Sequence, residues 1–298
     1  MPLNVVGKNA KSFTLIKGTF HVVGYSPDGD SVRFKADRDA NWKKISGTPK
    51  KNKKGHVQLR YEGIDALETH YQPKVKGSHS EHQPLAFADA ARRFNLERLG
   101  IKNVVWDTQH NKVASAQDGT RGYIVTRAID SPRNGRPVAF VYSGNPGQAD
   151  GSKIHLGAAQ VRRSVNYKLI TAGYAYPTYY PTVFSDLRAV LTAAIKKARS
   201  KKKGLWPKDK TGGLIFNGKK TITDQSPVLP KLFRRLIEHL AGGGTLAGFR
   251  AFLRRKEDGV LILPQAHHTS ALDAVVSVKG KKIALTVLPE NLVFDEKG

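Results

Sequence analysis

Over residues 13–142 the chain is written as short β-runs parted by turn signals, which commits its first half to a mainly β domain. Residues 13–23 and 31–36 read as strands on either side of the turn Pro27-Asp28-Gly29-Asp30. Residues 56–64 alternate apolar and polar side chains, placing Val57, Leu59 and Tyr61 on one face. Further β-runs fall at 104–106, 120–130 and 137–142, the last two joined by the turn Pro132-Arg133-Asn134-Gly135. One amphipathic helix interrupts the pattern at 85–99, where Leu85, Ala88, Leu96 and Leu99 recur at helical spacing and Gly100 stops the run. Residues 37–56 differ in character, carrying Lys43, Lys44, Lys50, Lys51, Lys53 and Lys54 around Gly47 and Pro49. They read as an exposed basic insertion with little core to offer, either a solvated loop or a nucleic-acid arm.

The rest of the chain turns helical and then mixed. A short helix is expected at 165–171 and a long one at 185–202, with Ser185 as its N-cap and Leu187, Val190, Leu191, Ala194, Ile195 and Ala198 on its apolar side. Gly212-Gly213 marks a boundary, after which helices are expected at 229–240 and 246–255 and strands at 259–263, 271–278 and 282–287. Residues 212–298 thus form a small α+β module, whose expected role is no more specific than docking an unknown partner or guiding substrate.

Charge narrows the function. Lys and Arg number 50 against 24 Asp and Glu, a formal net charge of +26 in 298 residues. Self-repulsion of that size opposes compaction unless a polyanion offsets it, and nucleic acid is the commonest such partner. Residues 212–298 carry only +5 of this charge, so the excess sits on the first domain. The absence of cysteine excludes disulfides, thiolate metal sites and a Cys nucleophile. The first twenty residues hold no apolar signal-peptide core, and no stretch approaches the ~20 apolar residues of a membrane span. No basic helix exposes an apolar face to a membrane surface either. A monomer is expected, with a cytoplasmic location as the default.

Five charged residues of the first domain suit phosphodiester chemistry: Asp30, Arg60, Asp65, Glu68 and Arg136. Carboxylate oxygens hold a hard cation, a further carboxylate activates water, and arginines fork onto phosphoryl oxygens as charge builds there. His70, His79 and His82 cluster after Glu68; the His79-x-x-His82 pair has no third ligand assignable, and all three are read as loop histidines.

Order and spacing add a resemblance over most of 13–208. Asp28-Gly29-Asp30-Ser31-Val32, Arg60-x4-Asp65-x2-Glu68-Thr69, Gly135-Arg136-Pro137-Val138-Ala139-Phe140-Val141-Tyr142, the Val165-Asn166 helix ending at Gly173, and Gly204-Leu205-Trp206 after a lysine-rich helix occur in sequence. Together they resemble the staphylococcal nuclease (thermonuclease) family. The resemblance implies an α+β chain whose domain 13–208 is a five-stranded Greek-key β-barrel of OB type with flanking helices. It also implies a Ca2+-dependent nuclease that hydrolyses phosphodiester bonds of DNA, RNA or both with little sequence specificity.

Residue by residue, it implies that Asp30, Asp65 and the backbone carbonyl of Ala66 bind one Ca2+ per active site. Glu68 would be the general base or the residue that orients the attacking water, and Arg60 and Arg136 would clamp the phosphate. Tyr176, Tyr179 and Tyr180 would lie beside the nucleotide or else fill core, and Arg133, Lys50 and Lys51 would meet nucleic acid. Ala66 and Leu67 stand where the family has Thr and Pro, and Asn134 where a Tyr often occurs. Arg60 and Asp65 are five apart, so a regular strand would point them to opposite faces; an irregularity is expected between Tyr61 and Asp65, with Gly63 able to host it. The rival reading is an OB module that binds single strands without cutting them.

Overall fold

The computed structural model describes residues 4–5, 12–109 and 112–295, so the N-terminal stretch read for a signal peptide lies partly outside the described residues. The chain forms two compact units, Met1–Glu62 with Arg92–Leu169, and Gly63–Ala91 with Ile170–Gly298. Packing thus divides the chain at other places than its motifs do: residues 212–298 share a unit with 63–91 and 170–211.

The first unit begins with β1 (Asn4–Val5), β2 (Phe13–His21), β3 (Arg33–Ala36), β4 (Val57–Gln58) and β5 (Arg60–Tyr61). The chain leaves it for β6 (Ile64–Ala66) and the start of α1 (Leu85–Arg98). It continues with β7 (Lys102–Trp106), β8 (Val113–Gln117), β9 (Thr120–Ile129), β10 (Pro137–Ser143), β11 (Lys153–His155), α2 (Ala158–Arg163) and α3 (Val165–Ala172). β2 pairs antiparallel with β3 and β9, β9 pairs with β10, β10 runs parallel to β5, and β3 pairs with β4. β4 and β5 are one segment interrupted at Leu59, whose N–H donates to Val32 O at 2.9 Å. The ring β2, β3, β4–β5, β10, β9 therefore closes on β2, as an OB-type Greek-key barrel requires. β11 lengthens the sheet beyond it by pairing with both β2 and β1.

Alternation supplies the barrel interior: Ile16, Phe20, Phe34, Val57, Leu59, Tyr61, Ala139 and Val141 share one face and are all buried. Gly18 faces Gly122 across β2 and β9, where a Cβ at either would run into the backbone carbonyl of Lys35 or Tyr142. Such close approach lets the strands coil tightly. A register shift in the β9–β10 ladder between Val138 and Ala139 bends the strand that follows Arg136.

The insertion departs from its expectation as a segment with little core. Asp39–Lys44 forms a 3-10 helix that buries Trp42, whose ring packs edge-on against Phe34 at 6.4 Å, and Ile45 is buried as well. One indole removes roughly 150–250 Å² from water, enough to seat a lysine-rich segment on a barrel. β8 and α2 were not legible: β8 is mostly exposed and lacks apolar alternation, and α2 is only six residues long. Ser185 is the first helical residue rather than the cap, a position that Phe184 takes.

In the second unit β6 pairs with β12 (Ala175–Pro177), followed by α4 (Ser185–Ser200). Then come β13 (Leu214–Ile215), α5 (Pro230–Ala241), α6 (Phe249–Lys256), β14 (Gly259–Ile262), β15 (His267–Thr269), β16 (Val276–Lys279), β17 (Lys282–Leu285) and β18 (Leu292–Asp295). They make two three-stranded sheets, β13-β17-β16 and β15-β14-β18. Proline at the first turn of α5 presets the helical φ, and Leu232, Phe233, Leu236 and Ile237 form its buried stripe. Its other anchor is ionic: Asp258 accepts from Arg235 at 2.6 and 2.9 Å and lies 3.5 Å from Lys231 Nζ. Among the described residues no helix is long and apolar enough to cross a membrane.

Candidate active site

Three of the expected site residues lie on neighbouring segments of the barrel. Asp30 ends the turn before β3, and its carbonyl accepts the N–H of Tyr61 at 3.1 Å. Arg60 precedes Tyr61 in β5 and is paired with Val138 of β10, two residues beyond Arg136. The turn carrying Asp30 is itself pinned by buried Asn95, which donates to Asp28 O at 2.9 Å and accepts from Tyr61 OH at 2.7 Å.

Arg136 owes its position to Asp130, a residue that the sequence reading missed. Asp130 accepts the Arg136 backbone N–H at 3.0 Å through one oxygen and Arg136 Nε at 2.7 Å through the other, which also takes Asn134 Nδ2 at 3.2 Å. Gly135 adopts φ +63 at the close of this turn. The insertion packs directly onto it: Lys50 N–H donates to Gly135 O at 2.9 Å, and Lys50 Nζ donates to the Arg133 carbonyl.

The result is a cavity of about 550 Å³ lined by Arg33, Lys50, Lys51, Asn52, Gln58, Arg133, Asn134, Gly135 and Arg136. Five of these side chains are cationic and none is a carboxylate, so the cavity suits an anion. Arg33 Nε is a buried donor without a hydrogen-bond partner among the described residues. Burial lowers its pKa, opposed by the nearby Tyr25 hydroxyl. Arg33, Asn52 and Gln58 carried no sequence signal, because only barrel closure sets β3 and β4 beside the Arg133 turn.

Asp65, Ala66 and Glu68 belong to the second unit. The strand does break where an irregularity was expected: β5 stops at Tyr61, Glu62 and Gly63 turn with φ +76 at the glycine, and β6 resumes at Ile64. Asp65 and Ala66 pair with Tyr176 and Ala175 of β12. Glu68 N–H is 3.3 Å from Gln83 Oε1, and Gln83 Nε2 donates in turn to Val228 O at 2.8 Å.

Both carboxylates already have a cation. Arg234 of α5 donates to Asp65 through Nη1 at 3.2 Å and Nη2 at 2.6 Å, and to Glu68 Oε1 through Nη1 at 2.6 Å. The side chains of Asp65, Glu68 and Arg234 are 7, 15 and 20% exposed, so water screens this triad little. Burial disfavours the Arg234 cation, yet Asp65 and Glu68 outweigh it and hold its pKa well above the usual value. Among the described residues no three His, Asp or Glu side chains are grouped so as to hold a metal ion. The expected Ca2+ set draws Asp30 from the first unit and Asp65, Ala66 and Glu68 from the second. As folded, the second unit's carboxylates do not fit the ion, since a guanidinium takes the oxygens of Asp65 and Glu68.

Of the two places open to the tyrosines, beside the nucleotide or in the core, two of the three take the core. Tyr176 and Tyr179 are both 0% exposed. Tyr176 donates to Asp209 at 2.7 Å and packs edge-on against Trp206, while the Tyr179 hydroxyl meets Thr192 Oγ1 at 2.9 Å. Rings enclosed in this way offer no face to a base; they fill core. Tyr180 is half-buried against Phe294.

Comparison with curated proteins finds no match. A family model does match, described as Staphylococcal nuclease homologue, over residues 58–208. That span includes β4 and β5, the Asp65–Glu68 turn, the Arg136 strand and α4, and it covers just over half of the chain. With the closed barrel and its flanking helices, the match means that this chain belongs to the staphylococcal nuclease homologue family.

Proposed function

We propose that the chain is a nuclease that grips the phosphate backbone of DNA or RNA and hydrolyses its phosphodiester bonds with little sequence preference. The observation that carries this reading is the cavity lined by Arg33, Lys50, Lys51, Arg133 and Arg136 with no carboxylate in its wall. Lysine and arginine contacts to phosphate position a strand without selecting its sequence. Arg136, steadied by Asp130, presents its guanidinium to a phosphoryl group, and Arg60 lies on the adjoining strand. Glu68 is the carboxylate assigned to orient the attacking water.

The test is cleavage of plasmid, single-stranded DNA and RNA, with Ca2+ or with chelator, by wild type, Glu68→Gln and Arg136→Ala. Glu68→Gln should lower cleavage by roughly 10²-fold or more while leaving oligonucleotide binding intact, as loss of a general base does. Arg136→Ala should weaken both. Cleavage equal to wild type in Glu68→Gln would remove the proposed role of Glu68.

The pairing of Asp65 and Glu68 with Arg234 favours a second reading, a barrel that binds single strands without cutting them. Tight binding with no cleavage in any variant, including one that lacks Arg234, would select it.

A further inference from the structure

We propose that Arg234 is a built-in counter-cation, placed by the C-terminal module on Asp65 and Glu68 so that a divalent ion must displace it to take them. Two neighbouring carboxylates, both largely removed from water, repel one another unless positive charge lies between them. A guanidinium meets that need with its fork of donors, and Arg234 engages Asp65 through two nitrogens and Glu68 through one of the same two.

The contact is not needed to anchor the helix that provides it. α5 is already held by its apolar stripe and by the pairing of Lys231 and Arg235 with Asp258. Arg235 is spent inside the module, whereas Arg234, one residue earlier, reaches a segment 166 to 169 residues away in the chain.

Contacts around the triad form a latch on the same segment. Phe233 packs edge-on against Tyr71 at 6.2 Å, Gln83 bridges Glu68 and Val228, and Lys219 pairs with Glu81 at 2.6 Å. The Lys219 side chain is 55% exposed, so this outer pair holds weakly. A latch with a buried ionic centre and a weak rim suits a cap that can be lifted. Its consequence for hydrolysis rests on the nuclease reading; competition between Arg234 and a cation does not.

The experiment is calorimetric titration of the full-length chain with Ca2+, comparing wild type, Arg234→Gln and the double variant Arg234→Gln, Asp65→Asn. Arg234→Gln should bind Ca2+ at least about tenfold more tightly than wild type, as when a competent state held to a tenth of the population is released. The double variant should lose that gain. If Arg234→Gln does not fold by circular dichroism, Arg234→Lys carries the test, because a point charge without the fork competes less well. Equal Ca2+ affinity in wild type and the folded Arg234 variant overturns the proposal, as does a gain that survives Asp65→Asn. A gain in Ca2+ binding with no cleavage of nucleic acid would leave the proposal standing and remove the nuclease reading instead.

Discussion

Asp130 does at the residue scale what a second protein layer does elsewhere: it turns a flexible arginine into a fixed one. Its side chain is 7% exposed and meets both the backbone and the guanidinium of Arg136, so that side chain loses little further freedom when a phosphate arrives. His56 makes a different use of burial. Its ring stacks on His21 at 4.1 Å and meets Tyr25 OH at 3.1 Å. Burial, with help from His21 and Lys35, lowers its pKa to about 4 from the ordinary 6.5. Between those two values the unfolded chain binds more protons than the native one, so stability falls as pH drops through that window. Urea midpoints measured across it should decline in wild type and decline less in His56→Asn. A wild-type midpoint that stays level would show that His56 titrates normally in the fold.

At the scale of elements, α5 is the most heavily committed piece of the second unit. One face is apolar, while its cations divide between Asp258 within the module and the Asp65–Glu68 turn. Asp258 is 2% exposed and faces Lys231, which is equally buried, together with Arg235. Asp258→Ala removes the buried carboxylate that Lys231 and Arg235 share and should cost about 3–5 kcal/mol in urea unfolding, the usual result of removing one partner from a buried pair. A loss below about 1 kcal/mol would place the pair in the class of exposed ion pairs instead. The basic insertion shows the same logic with the opposite charge balance. Trp42 and Ile45 seat it, and its lysines are then held at the mouth of the cavity.

For the whole molecule, a formal charge of +26 is less informative than where it converges. Lysines from the insertion and arginines from two barrel segments line one cavity, so the affinity of the chain for nucleic acid should fall steeply with salt. Lys50→Ala and Lys51→Ala should each reduce the slope of log affinity against log salt by about 0.7–0.9, with the same loss for oligonucleotides of unrelated sequence. Fluorescence anisotropy over a salt series measures it. An unchanged slope would mean that the backbone passes elsewhere.

Much of the fold was legible in the chain because its determinants are local. Strand alternation at 56–61, the turn before Arg136 and the apolar stripe of α4 each lie within a few residues, and the motifs from Arg60 to Trp206 fall within the span that matches the family. The break at Gly63 was legible because the resemblance sets Arg60 and Asp65, five apart, on one side, and a glycine able to turn stands between them. What tertiary structure alone decided is which charges meet. Nothing in Arg234-Arg235 says that one arginine turns to Asp258 and the other to Asp65 and Glu68, and nothing in the tyrosines at 176 and 179 says that their rings are enclosed. Secondary structure follows from neighbours along the chain, whereas ion pairing and burial depend on which distant segments pack together.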